Sequence, residues 1–537
     1  MKRRYPIAAA LAVTTLSLAA CGGGSSSSSA SASKSPSSAD YATGGTFTMD
    51  LGSDPGSVNP YSSTGGLNRQ IYAFAYDTLV GRGTDGNAVP QLATKWTVTP
   101  TSVTYTIRKG ATCDDGTAVT PTLIANDFNY IKDPATLSPW VQFSVPVKYT
   151  VTADDAASTF TITSETAFGA LLQGAGAVPI VCPSGTKDPK SIDHASAGSG
   201  PYKITEYASG DHYTMQVRSD YTWGPNGAKT SAPGTPKTVK IAFAANESTM
   251  ANQLIGGQIN AAQITGPDRA RLDATPTLKR FDVPVIVGEV NFNEAAGRVF
   301  DDQAVRVAAA QAINRDELAP VSTSKQGTLA KNLIAEKPVT CPGDETTGSL
   351  PSFDVSKAGA ALDAAGWTKG ANGTRQKDGK PLTVKVIYQT GAPQTASAVE
   401  LLGQQLGAAG IGTNLVGLTN AAFLQTLYQT ADFDIFYSAI NVDFPYMATT
   451  FFGGPTPAKG GRNSGDIQNQ DFNTLSAQAA AAPADKACAL YTQAHKALFK
   501  SADVVPVSNG DRPFYTSKAT LQTVGLFAVP MSIKLLK

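Results

Sequence analysis

Residues 382–439 read LTVKVIYQTGAPQTASAVELLGQQLGAAGIGTNLVGLTNAAFLQTLYQTADFDIFYSA. Strand-like segments at 382–388 and 411–416 flank a helical one. The helix opens on the capping box Ser397-Ala398-Val399-Glu400, carries the apolar stripe Val399, Leu402 and Leu406, and stops at Gly410. A capping box satisfies orphan N–H groups at a helix start, and a following glycine supplies the left-handed residue that ends it. A second helix, 421–429, leads to a strand at 433–439. This β-α-β-α-β order implies a largely parallel sheet covered by helices.

Working outward, Asp354 caps a helix bearing Val355, Ala358 and Leu362, ended by Gly366. From Gly45 to about Thr163 the text is strand-like: Val103, Tyr105 and Ile107 alternate with Thr104, Thr106 and Arg108, and Phe160-Thr161-Ile162 repeats the pattern. Helices dominate from about residue 300. The chain therefore divides into at least two α/β lobes and a strand-rich insertion.

Composition agrees. The 537 residues, 42% apolar and 16% charged, are enough for roughly three to four units of about 150 residues each. Mean hydropathy is −0.12, and the strongly apolar run is confined to the N-terminus, which excludes a multi-span membrane protein. Without Lys2, Arg3 and Arg4 the chain holds 40 basic and 42 acidic residues, a net charge of −2. No basic block interleaved with aromatics is present, so nucleic acid is not an expected partner.

The N-terminus itself reads as an export signal over residues 1–20. Lys2-Arg3-Arg4 precede an apolar run from Ile7 to Leu18, then Leu18-Ala19-Ala20-Cys21. That last tetrad resembles the bacterial lipobox, whose cysteine is acylated, so Cys21 is the expected lipid anchor on the outer face of the cell membrane. Residues 21–40, with Gly22-Gly23-Gly24 and ten serines, form a flexible tether. Its reach is roughly 25 Å.

Four further cysteines remain: Cys113, Cys182, Cys341 and Cys488. Three pairings are possible. The expected one, Cys113–Cys182 with Cys341–Cys488, keeps each bond within one half of the chain and leaves the halves free to move. No CxxC, HExxH, GxSxG or GxxxxGK[ST] pattern occurs, and the histidines are only His194, His212 and His495. These residues give no enzyme, metal or cofactor signal.

The punctuation along 44–510 completes the reading: Gly44-Gly45-Thr46-Phe47, Asp54-Pro55 with Val58-Asn59-Pro60, Tyr76-Asp77-Thr78-Leu79-Val80, and Val89-Pro90-Gln91-Leu92-Ala93-Thr94-Lys95-Trp96. It continues through Tyr105–Gly110, Asp114-Asp115-Gly116-Thr117, Gly198-Ser199-Gly200-Pro201-Tyr202, Asn291-Phe292-Asn293, Phe300-Asp301 with Val305-Arg306, Ala312–Arg315 and Ala365-Gly366-Trp367. Each motif has a structural reading: Asp115-Gly116 is a hairpin turn, and the Gly198–Pro201 loop has no following helix to hold a phosphate. Arg306 and Arg315 suit structural ion pairs. In this order, the set resembles the family 5 extracytoplasmic solute-binding proteins, the peptide/nickel type that serve ABC importers.

The resemblance implies a two-lobed periplasmic-binding-protein-like α/β fold, type II, with an extra subdomain in lobe I. Residues 41–65 begin lobe I, 66–195 form the subdomain, 196–285 continue lobe I, 286–508 form lobe II, and 509–537 return to lobe I. Crossing strands are expected near 281–287 and 504–509. It further implies a monomeric receptor that closes on a ligand, with an oligopeptide or dipeptide as the leading expectation, for permease subunits. An oligosaccharide, opine or metal chelate is the same-fold alternative; a secreted hydrolase or a signalling or adhesion lipoprotein represents other classes. Expected ligand contacts are Asn68 within the 62–68 loop, Asn293 with neighbouring Glu294, and Asn441, Asp443, Phe444 and Tyr446. Where peptide-binding relatives place an amine-binding Asp four residues before Pro445, this chain has Asn441, leaving Asp443 as a substitute. Phe444, Tyr446, Phe451 and Phe452 offer either core packing or an aromatic platform.

Overall fold

Two long strands organise the chain. In the computed structural model, which describes residues 40–537 apart from positions 170, 245, 336, 338, 391 and 392, Leu278–Phe292 and Val504–Ser517 pair antiparallel from Leu278–Ser517 to Asn291–Val504. The export signal, Cys21 and the tether up to residue 39 lie outside the described residues.

The long pair joins two smaller groups of strands into one 11-stranded sheet. On the Val504–Ser517 side come Ala261–Gln263, Thr46–Asp50, Thr238–Ala242, His212–Val217 and Tyr202–Ala208, with the short Thr328–Leu329 pairing Val504–Ser517 off this order; on the Leu278–Phe292 side come Ile435–Tyr437, Thr383–Gln389 and Gly412–Leu418. The last three are mutually parallel. Helix Pro393–Ala408 crosses between Thr383–Gln389 and Gly412–Leu418, burying Val399, Leu402 and Leu406 against the sheet. At Gly410 φ is +88°, a conformation costly for a residue with a Cβ.

Each lobe has its own core. Phe47, Met49, Val239 and Ile241 pack with Val283 and Phe514 in lobe I, and Val290 and Phe292 pack with Val384, Val386, Val505 and Val507 in lobe II. The long strands change partners between these clusters, where the register shifts between Ile286 and Glu289. A Cβ on Gly288 would lie 2.3 Å from the Tyr437 Oη, so only glycine fits this close approach. A bulged, locally twisted pair between two cores is a natural place for lobe movement.

The strand-rich insertion is a four-stranded antiparallel sheet ordered Ala93–Val98, Ser102–Ile107, Thr159–Ser164 and Tyr149–Asp154. Val103, Tyr105 and Ile107 face inward as their alternation implies. They belong to the same continuous apolar cluster as Phe47 and Ile241, so this layer shares the core of lobe I. Asp77 lies fully buried at that junction. It accepts hydrogen bonds from Gln91, Ser199, Tyr221 and Trp223. The Gly198–Pro201 loop runs against the backbone of Ala75, leaving no room for a Cβ at Gly198 or Gly200.

Several elements differ from their sequence-based outlines. Helix Pro121–Lys132 sits within the stretch read as strand-like; the Thr120 hydroxyl accepts the Leu123 N–H at 3.2 Å and Pro121 occupies the first turn. Helix Pro393–Ala408 begins before Ser397, placing the supposed capping serine inside it. The next helix is Asn420–Gln425, capped by Thr419 and widening into a looser turn over Thr426–Thr430, and the following strand is only Ile435–Tyr437. Asp354 does cap its helix, accepting the Lys357 N–H at 2.9 Å.

Disulfides join Cys113 to Cys182 within lobe I and Cys341 to Cys488 within lobe II. Neither ties one lobe to the other.

Candidate functional site

The short helix Gly66–Tyr72 brings Arg69 and Tyr72 to one side of lobe I, and strand Val80–Arg82 brings Arg82 beside them. Gln70 fixes the helix to the C-terminal segment, exchanging hydrogen bonds with the backbone N–H and C=O of Ala528. Phe527 is thereby set against Arg69, whose guanidinium carbon lies 4.4 Å from the ring centroid.

Lobe II meets this surface at Asp443 and Phe444. One Arg82 nitrogen reaches the Asp443 carboxylate at 3.1 Å and another donates to its backbone carbonyl at 3.2 Å. Arg69 approaches the second carboxylate oxygen at 3.6 Å. The Arg82 guanidinium also lies over the Phe444 ring at 4.4 Å. These side chains are 13–26% exposed, so the ion pairs are partly removed from water. At such sites truncation of one partner costs several kcal/mol, because the other is stranded.

Together these groups enclose a cavity of about 260 Å³. Aromatic residues Tyr72, Tyr76, Trp140, Tyr221, Phe444 and Phe527 form much of its wall. Among the described residues, its charged lining is Arg69, Arg82 and Asp443. The hydroxyl of Tyr72 is buried and has no hydrogen-bond partner among the described residues.

Of the residues expected from sequence, Asp443 and Phe444 reach this cavity. The other four are engaged elsewhere. Asn68 donates to the Ser57 carbonyl. Asn293 donates to the carbonyls of Ala431 and Phe433 and accepts the Ala295 N–H. Asn441 accepts the Ile286 N–H at 2.8 Å and donates to its carbonyl at 3.0 Å, stitching its loop to the long strand. Tyr446 stacks on Phe444, with ring centroids 5.6 Å apart. Glu294 pairs with Arg306 at 3.1 Å, and Arg306 also holds Asp503 at 3.1 Å, forming a structural triad in lobe II. Phe451 and Phe452 pack in the lobe II interior.

Sequence reading missed Arg69, Arg82, Tyr72 and Phe527. Arg69 directly follows the 62–68 loop, but its meeting with Asp443 spans most of the chain and leaves no local pattern. As for other chemistry, among the described residues no group of three or more His, Cys, Asp or Glu side chains is placed to hold a metal ion. None of the described helices is long and apolar enough to cross a membrane. His495 is buried against Glu345 at 3.0 Å inside lobe II, away from the cavity residues.

Comparison with known proteins agrees with this architecture. Residues 87–460 match the model of the bacterial extracellular solute-binding proteins, family 5. The chain is 24% identical over 351 residues to Protein XP55 of Streptomyces lividans, covering 64% of this chain and 61% of that protein. It is also 24% identical over 354 residues to the glutathione-binding protein GsiB of Shigella dysenteriae serotype 1, covering 64% and 66% respectively. The matches thus span somewhat less than two thirds of these curated relatives. A substrate-binding protein from Microbacterium hydrocarbonoxydans, solved with 4-hydroxybenzoate hydrazide, superposes with a TM-score of 0.74 at 26% identity, covering 91% of this chain and 99% of that one. Two lobes joined by paired long strands, a cavity lined from both lobes and a family match over most of its length place the chain in family 5 of the bacterial extracellular solute-binding proteins.

Proposed function

We propose that the protein is a lipid-anchored extracytoplasmic receptor that closes two lobes around a solute and delivers it unaltered to the permease subunits of an ABC importer. It works as a monomer, without cofactor or catalysis, held to the membrane through acylated Cys21. A short peptide is the default cargo. The observation that carries this reading is the contact of Arg69 and Arg82 in lobe I with Asp443 in lobe II at the rim of an aromatic-walled cavity.

The physics suits capture. Closing brings Asp443 and Phe444 over lobe I and lowers the local dielectric, which strengthens polar contacts to an enclosed solute. A ligand shifts the open–closed balance only through its greater affinity for the closed form, which is the form an importer can distinguish. Asp443 is the acceptor available to a peptide ammonium, at the cost of relaxing its hold on one guanidinium. A small aromatic cargo is a second reading, supported by the modest cavity volume and by the hydrazide held in the Microbacterium relative.

Mass spectrometry of solutes released from the purified protein by denaturation tests the proposal. One recurring small molecule, recovered unchanged after incubation with fresh protein, is expected. Conversion of that molecule to a product would point instead to an enzyme.

A further inference from the structure

The polar side chains in the cavity wall are committed to the protein itself. The Gln91 amide and the Tyr221 hydroxyl both donate to Asp77, each at 2.7 Å. Asp77 is fully buried and takes two further donors, from Ser199 and Trp223. The Thr78 hydroxyl lies 2.9 Å from the Gln91 side-chain oxygen. Trp140 donates its indole N–H to the Pro60 carbonyl, and Gln173 donates to that of Gly86. The Tyr76 hydroxyl accepts the Ala197 N–H, and that of Tyr72 is sealed within the protein. Pro179, Pro201, Pro225 and Pro530 also line the cavity and bring no N–H. The charged groups meet one another: Asp443 faces Arg69 and Arg82, and an aromatic ring lies against each guanidinium at 4.4 Å. Apart from that cluster, the described side chains present ring faces and aliphatic carbon to a solute.

We propose that this cavity selects an uncharged, flat aromatic group, either a whole small solute or the side chain of a short peptide. This deepens the delivery reading and rests on it: the cavity must be the cargo site. A ring that enters exchanges water for carbon contact at Trp140, Phe444 and Phe527. An ion that enters loses its hydration and meets groups that already have partners. An anion must compete with Asp443 for the guanidiniums, and a cation with the guanidiniums for Asp443. Asp77 sets this preference from behind the wall, because it holds the polar heads of Gln91 and Tyr221 away from the cavity. The volume of about 260 Å³ lies just below the range of about 300–1,000 Å³ usual for small-molecule sites, which favours a compact group.

Rings of similar size test this by titration calorimetry on the full chain, dialysed free of small molecules: toluene, benzamide, benzoate and benzamidinium. Toluene should bind at least as tightly as benzamide. Each ion should bind roughly tenfold or more weakly than benzamide, the scale of an uncompensated polar burial. Ala-Phe, Ala-Lys and Ala-Glu extend the series. Ala-Phe binding roughly tenfold above the other two assigns the ring to a peptide side chain, and equally weak binding of all three assigns it to a small solute. Ala177→Leu, which adds bulk to the wall, should weaken toluene and benzamide several-fold with an unchanged melting temperature. Should it fail to fold, Ala88→Leu serves the same purpose. Either ion matching benzamide, benzamide outbinding toluene, Ala-Lys or Ala-Glu outbinding Ala-Phe, no ring binding at all, or full affinity in the folded wall variant would overturn the proposal. Delivery itself would stand or fall separately, on whether a solute of any class is recovered unchanged from the purified protein.

Discussion

Glu289 lies on the long strand beside the bulge, with its side chain fully buried. Loss of hydration pushes its carboxyl up to about 8, against an ordinary 4.5. The folded protein therefore holds a proton there that the unfolded chain releases. Stability from this group is complete below pH 4.5 and drains away as pH rises toward 8, with the slope given by the difference in bound protons. Glu289→Gln should remove that part of the pH dependence, so wild type and variant diverge on the order of a few kcal/mol between pH 5 and pH 8. Denaturant unfolding across that range checks it, and parallel curves would refute the assignment. Asn441 makes a contrasting case. Its amide exchanges two hydrogen bonds with Ile286, so Asn441→Ala should destabilise the fold by about 1–3 kcal/mol while leaving the preference among solutes intact. A specificity change without destabilisation would return Asn441 to the binding surface. Its type and its spacing from Pro445 were visible in the sequence; the backbone it would meet 155 residues away was not.

At the scale of elements, legibility followed locality. The alternation of Val103, Tyr105 and Ile107 and the cap at Asp354 depend on neighbours a few residues apart, and the structure has both. The helix Pro121–Lys132 escaped notice because strands surround it, although Thr120-Pro121 is a proper helix start. Helix Pro393–Ala408 shows the opposite error: Ser397 and Glu400 have capping-box spacing, yet the helix begins at Pro393, where a proline's fixed φ already suits the first turn. The charged groups of the cavity were the least legible, since Arg82 and Asp443 stand 361 residues apart in sequence. Disulfides give an element-scale test. The bonds close separations of 69 and 147 residues, worth about 4–5 kcal/mol each in the chain-entropy account. Replacing both Cys341 and Cys488 by serine should lower the melting temperature clearly while leaving solute affinity within about twofold, because the bond lies within lobe II. Loss of binding in a folded variant would contradict that separation.

For the whole molecule, the arrangement of cores matters more than any single contact. Two apolar clusters sit on either side of a bulged strand pair, both disulfides stay within lobes, and the charged contact of Arg69 and Arg82 with Asp443 crosses between them at the cavity. Such a body can exchange an open form for a closed one without breaking either core. Small-angle scattering of the full chain, without solute and then saturated with cargo recovered from the purified protein, measures this most directly. A smaller radius of gyration in the loaded state is the predicted result; superimposable curves at saturation would contradict the account.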